Sequence, residues 1–301
     1  QQRFGKMAYK TGAGFFIVSR VMGATARLYL VINVLQIFIL DKFHIGFAAT
    51  AFVILLMILL YTFEGGVKTI VFTDTLQTTF MLLGLIVCVV YIMSNMNFSF
   101  GETMTALSEK GYTKIFNGDV MSSGFFLKQI IGGAFITIGM TGLDQEMMQK
   151  NISVKTLKGS QKNMVTFSVV LVVVNFLFLL LGGLLYLFAA NNNINVNKDD
   201  LFPTVALNFL PPFVSVIFII GLISALFPSA DGALTALTSS FCIDILGLKR
   251  NEKLNEQQKK RIRLTVHLSF AILFFIAVMV FKWIDDKSII GVILTVAGYT
   301  Y

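Results

Sequence analysis

Apolar residues in this chain neither alternate nor follow a narrow helical stripe; they come in long unbroken runs. A helix needs about 20 such residues to cross the hydrocarbon of a bilayer. Seven runs qualify, at roughly 12–40, 45–63, 69–94, 124–143, 164–190, 213–246 and 264–283, and an eighth starts near 288. A membrane β-barrel would instead show short segments of alternating polarity. The pattern predicts an all-α integral membrane protein, a multi-spanning helical bundle forming one transmembrane domain over 1–301. The chain opens at Gln1 in a basic stretch and closes at Tyr301 partway through an apolar run. It is expected to be incomplete at both ends.

The segments between runs carry the remaining pattern. Two are longer and polar, 95–123 and 191–212. The second holds Asn191, Asn192 and Asn193, then Pro203, Pro211 and Pro212, residues that stop helices and stiffen turns. Both read as solvated surface connections. Lysine and arginine divide unevenly between alternate loops. One set has fifteen, including Arg3, Lys68, Lys150 and the cluster from Lys249 to Arg263; the other has seven. The basic set is expected to face the cytoplasm.

Composition agrees with lipid as the solvent. Hydrophobic residues make up 56% of the chain and charged residues 13%, against about a quarter charged in soluble domains. The net charge of +8 follows from membrane orientation. A nucleic-acid partner would want a basic face on a soluble module, and none is visible. Cys88 and Cys242 lie in or near apolar runs and read as free thiols. His44 falls in an outer loop and His267 near the inner end of the seventh run, so they cannot form a catalytic pair or a metal site. Neither an enzyme nor an organic cofactor is expected.

Ionisable groups inside spanning runs are expensive, and each is a candidate functional residue. Asp74 follows Thr73 in the third run, with Gln77 and Thr78 one turn on. A carboxylate among hydroxyls offers hard oxygen ligands to an alkali cation, or a place for a proton; pairing with an arginine of another helix is the structural alternative. In the sixth run Ser224, Pro228, Asp231, Thr235 and Thr238 recur at helical spacing and share a face. Pro228 has no N–H to give the carbonyl of Ser224. That free carbonyl, with nearby serine and aspartate oxygens, makes a plausible cation cluster; a proline kink in close helix packing is the alternative. Arg20 and Arg27, seven residues apart, could neutralise a carboxylate, snorkel to the interface, or hold an anionic solute. In the fourth run Gly132, Gly133, Gly139 and Gly142 weaken the helix, so it could unwind near the midplane or pack tightly.

Three stretches carry a resemblance to the sodium:solute symporter family. Gly65-Gly66 with Thr73-Asp74 and Gln77 resembles that family's entry into its fifth core helix. Gly142-Leu143-Asp144-Gln145 with Gln149-Lys150 is similar to the inner end of the sixth. Ser224 to Asp231, followed by Asp244-Ile245, resembles the eighth. The resemblance implies the ten-helix inverted-repeat (5+5) core of the leucine-transporter fold, with this chain supplying about core helices three to nine and the start of ten. It implies Na⁺ as coupling ion. The cation ligands would be Asp74, the Ser224 or Ala225 carbonyl, Ser229 and Asp231; Pro228 departs from the hydroxyl residue usual at its position. Solute contacts would fall at Thr137 and Met140, and a carboxylate-binding arginine position at Gly23, one turn from Arg27, which is itself read from the residues as a solute contact. The function implied is sodium-coupled symport of a small polar organic solute into the cell, across a cell membrane that is expected to be the bacterial inner membrane. Proton coupling through Asp74 and Asp231, or a membrane sensory domain, are the alternatives.

Overall fold

Each of the seven apolar runs folds as a helix, and the eighth lies outside the described residues. The computed structural model describes residues 5–62, 67–142, 151–196, 200–250 and 253–284. Helix α1 covers Gly5–Phe38, α2 Phe47–Thr62, α3 Val67–Asn95, α4 Phe100–Glu109, α5 Phe126–Gly142, α6 Leu157–Asn191, α7 Leu201–Asn208, α8 Pro212–Ser240 and α9 Glu256–Ile284. No strand occurs among the described residues. Among the described residues, five helices are long and apolar enough to cross a membrane: α1, α3 from Phe72, α6, α8 with the π-helical turn that follows it, and α9. Apolar parts of α2 and α5 are shorter. A helix satisfies its backbone polar groups internally, which is what lipid demands.

Helix ends differ from the runs where polar turns extend them. α6 begins seven residues before its run because Thr156 caps it, with the Gly159 N–H donating to Thr156 Oγ1 at 3.1 Å. α9 begins eight residues early. Asn255 and Gln258 cap it reciprocally, backbone N–H to side-chain oxygen, at 3.0 and 2.8 Å. Hydropathy marks the part of a helix that lipid requires; capping lets the same helix run on into water.

One expectation is corrected. The polar connections are not merely solvated, because each folds a short helix with a buried face. In 95–123, Ser99 and Glu102 form a capping box and α4 buries Thr103 and Leu107. In 191–212, α7 buries Leu201, Pro203, Val205 and Ala206. Pro203 is the third residue of α7 and Pro212 the first of α8, where no N–H is needed. Ser215 Oγ then donates to the Ala206 carbonyl at 2.7 Å, closing the turn between them. Of the two readings left open for the glycine-rich fourth run, unwinding is not seen: α5 is helical throughout Phe126–Gly142. In lipid an unwound turn would strand backbone groups, which costs more than glycine's weak propensity.

The chain divides into two compact units. The first comprises Gln1–Thr75 and Ala225–Tyr301. There α1 packs on α2 and α9, and α9 packs on α2. Leu28 and Ile32 of α1, Leu55 and Ile58 of α2, Leu234 and Leu237 of α8, and Phe274 and Val278 of α9 are buried. Tyr29 sits against Phe47 and Phe281, ring centres 6.0 and 6.2 Å away. The turn between α1 and α2 is tied by Gln36, whose Nε2 donates to Asp41 Oδ1 and the Ile45 carbonyl at 2.5 Å each. Thr50 Oγ1 donates to Gln36 Oε1 at 2.7 Å.

The second unit comprises Leu76–Ser224. Its core joins Leu85, Val89 and Ile92 of α3, Leu107 of α4, the Leu180–Phe188 stretch of α6, Val205 of α7, and Val214 and Phe218 of α8. α4 and α7 both pack on α6. A Cβ at Gly183 would come within 2.6 Å of Leu107 Cδ2, so glycine lets α4 seat on α6. Cys88 and Cys242 are free and buried.

Candidate functional site

Helix α8 carries the most secluded acid among the described residues. Asp231 has 0% exposure, and its Oδ1 accepts the backbone N–H of Gly232. Thr235 Oγ1, one turn on, donates to the Asp231 carbonyl at 2.9 Å and lies 3.1 Å from that of Gly232. Pro228 lies inside the same helix and has no N–H to give. A buried carboxylate in a membrane-length helix is tolerated only where other groups balance it; Asp231 is not isolated.

The other expected cation ligands are placed as follows. Asp74 sits half-buried two turns into α3. Gln77, one turn further, buries its Oε1 with no hydrogen-bond partner among the described residues. Ala225 is exposed and Ser224 is buried. The Ser229 side chain lies outside the described residues, as do Gly65-Gly66 and the 143–150 stretch. Asp74, Ala225, Ser229 and Asp231 belong to the first unit and Ser224 to the second.

The expected solute contacts fall in both units. Arg27 is in the first, exposed, with Nε donating to the Gly23 carbonyl at 3.1 Å. Thr137 is in the second, also exposed, with Oγ1 donating to the Gly133 carbonyl at 2.8 Å. Met140 is in α5, and its side chain lies outside the described residues.

Two polar clusters of the first unit have no counterpart in the sequence reading. His267 of α9 is buried, with Nε2 3.0 Å from Thr62 Oγ1 of α2 and Nδ1 3.0 Å from Thr238 Oγ1 of α8. Tyr9 of α1 donates its hydroxyl to Asp244 Oδ1. Asp244 lies in the π-helical turn Phe241–Ile245, and its Oδ2 accepts Ser240 Oγ at 2.8 Å. The Arg250 guanidinium stands 5.7 Å from the Tyr9 ring centre. A polar residue inside each apolar run was the only signal for the first cluster. For the second it was an aspartate at the end of an apolar run.

Known proteins supply the family and the fold. Residues 24–300 match the sequence profile of the Sodium:solute symporter family. The chain is 25% identical over 206 residues to a sodium/pantothenate symporter of Haemophilus influenzae, covering 66% of this chain and 40% of that protein. It is 21% identical over 260 residues to the sodium/sialic acid symporter NanT of Aliivibrio fischeri, covering 84% and 51%. The fold matches a solved structure of a Na⁺-coupled sialic acid symporter in a substrate-bound outward-open state. The TM-score is 0.81 at 19% identity, with 93% of this chain and 59% of that one covered. The chain spans about half the length of the curated relatives it matches. Its helices have the fold of a sodium symporter, and the chain belongs to the sodium:solute symporter family.

Proposed function

We propose that this chain is part of a secondary active transporter that uses an inward Na⁺ gradient to carry a small polar organic solute into the cell. In this reading it supplies about core helices three to nine and the start of ten, as one transmembrane domain of a multi-pass protein of the bacterial inner membrane. Na⁺ is held by oxygens of Asp74, Asp231, Ser229 and the carbonyls at 224 and 225. Arg27, Thr137 and Met140 contact the solute. The relatives' named solutes, pantothenate and sialic acid, are carboxylates, and a guanidinium at Arg27 suits that class. The surrounding partner is lipid.

The observation that carries this reading is Asp231. A carboxylate with no exposure, in an apolar helix that contains Pro228, adds little to structural stability but makes a good cation ligand. Cation binding would favour one of two helix arrangements, and alternating access follows as one helix group rocks against the other.

The test is thermal stability of the full-length protein in NaCl against choline chloride, with pantothenate, sialic acids, sugars and amino acids as added solutes. Na⁺ should raise the melting temperature, and Asp231→Asn and Asp74→Asn should each lose most of that response. If both variants keep it, the cation assignment fails. Uptake that is undiminished in choline and collapses with a protonophore would instead establish proton coupling through the same two carboxylates.

A further inference from the structure

We propose that His267 is a positioning residue for the cation site: its imidazole fixes the Asp231-bearing stretch of α8 against α2 and α9 and thereby sets the affinity for the coupling ion. This rests on the reading of Asp231 as a cation ligand.

The argument starts from a proton count. The imidazole touches a hydroxyl at each nitrogen, Thr62 Oγ1 at 3.0 Å and Thr238 Oγ1 at 3.0 Å. Each hydroxyl also lies 2.7 Å from the carbonyl four residues back on its own helix, Ile58 for Thr62 and Leu234 for Thr238. A hydroxyl has one hydrogen, and a neutral imidazole has one N–H and one lone pair. Both hydroxyls therefore cannot donate to their carbonyls while the ring stays neutral. The ring donates to one threonine, and the other turns its hydrogen onto the ring. Either tautomer leaves the imidazole bonded at both nitrogens, to two different helices. A lone threonine in a helix gains its i−4 carbonyl bond without help. What is unusual is a third group that competes for that hydrogen from another helix.

Burial makes the bridge matter. His267 is 6% exposed, Thr62 5% and Thr238 4%. At that burial bulk solvent does not reach the three groups, so breaking one bond leaves a polar group unpaired in an apolar setting. The bridge joins α2, α8 and α9 of the first unit at one point.

Its reach to Asp231 is geometric. Thr238 follows Asp231 by seven residues, nearly two full turns at 3.6 residues per turn, so both lie on one face of α8 about 10 Å apart along the axis. Thr235 lies between them on that face and donates to the Asp231 carbonyl. Holding Thr238 fixes the rotation of α8 about its axis. That rotation decides where the Asp231 carboxylate points.

The experiment uses the full-length protein in detergent and Na⁺ itself as probe. The readout is the NaCl concentration giving half of the maximal thermal stabilisation, with choline chloride holding ionic strength constant. His267→Phe, which keeps ring volume, and Thr238→Val, which is isosteric, should each raise that midpoint by about threefold to tenfold. Thr238→Ser restores the hydroxyl and should return it to the wild-type value. His267→Asn keeps an amide near the Nδ1 position and should be milder than His267→Phe. A merely structural tie would lower the melting temperature and leave the Na⁺ midpoint unchanged; that result in folded Thr238→Val overturns the proposal even if His267→Phe does not fold. Asp231→Asn separates the two readings. If it loses the Na⁺ response while the His267 and Thr238 variants keep the wild-type midpoint, the positioning role alone is wrong. If Asp231→Asn responds like wild type, the cation-site reading fails and takes this proposal with it.

Discussion

The backbones of Gly84 on α3 and Gly221 on α8 touch: a Cβ on Gly84 would lie 3.6 Å from the Gly221 Cα, and one on Gly221 would lie 3.7 Å from the Gly84 Cα. The first would also meet the Ile217 carbonyl oxygen at 3.4 Å, and the second the Phe80 carbonyl oxygen at 3.6 Å. Small residues allow this close helix approach, which replaces the hydrophobic drive that lipid does not supply. Gly84→Ala should cost less than about 1 kcal/mol, since a methyl there makes ordinary contact. Gly84→Leu has nowhere to place its branch and should cost about 1–3 kcal/mol. Reversible unfolding of the full-length protein in mixed micelles measures the difference, and equal costs for both variants would show that the approach is not tight.

Gln36 makes three bonds that hold the turn from α1 to α2, two as donor and one as acceptor. Gln36→Leu leaves the Ile45 carbonyl and the Thr50 hydroxyl short of a partner and should cost about 1–3 kcal/mol. Gln36→Glu is worse at neutral pH, because the new carboxylate faces the Asp41 carboxylate and the Ile45 carbonyl where an N–H₂ stood. Protonation relieves the repulsion, so this variant gains stability relative to Gln36→Leu as pH falls. Melting curves of the two variants at pH 5 and pH 8 test that sign. A gap that does not change with pH would mean the amide hydrogens are not what holds the turn.

The capping box of α4 gives a second, opposite pH dependence. The Ser99 backbone N–H donates to the Glu102 carboxylate at 2.7 Å, which holds its pKa below the usual glutamate range, with a smaller contribution from the Ser99 side chain. A depressed folded-state pKa means the stabilisation is complete above the unfolded glutamate range. It is lost as pH falls through the folded value. Amide protection factors over Thr103–Leu107 should drop on acidification in wild type, and in Glu102→Gln should not change with pH. Matching pH profiles in the two would rule the box out as the cause.

The spanning helices were legible because hydrocarbon leaves little choice: a long run without charge has to be a helix, and the runs inside Leu157–Asn191 and Glu256–Ile284 are. α4 and α7 were not, for separate reasons. Phe100–Glu109 is short and mixed in polarity, so its buried pair Thr103 and Leu107 leaves no run to see. Pro203 read as a breaker, yet at the third position of α7 it blocks no bond. In the candidate site Asp74 and Asp231 stood out because charge inside an apolar run is costly. Thr62 did not, and nothing joined Thr238, read on the Asp231 face, to His267, read as a lone histidine. A threonine satisfies itself on its own helix wherever it sits, and a single sequence does not say which three helices meet at one imidazole. The Gly84–Gly221 contact was hidden likewise, since the two glycines lie 137 positions apart in the chain.

The seclusion of Asp231 also sets a clock. With its carboxylate at 0% exposure, water cannot hydrate an ion that arrives or leaves in this conformation. An ion bound there would be occluded, and its exchange would run at the speed of helix movement rather than of diffusion. In the proposed function, an ion that can leave only when helices move would not leak through a resting protein, so the gradient would drive only complete transport cycles.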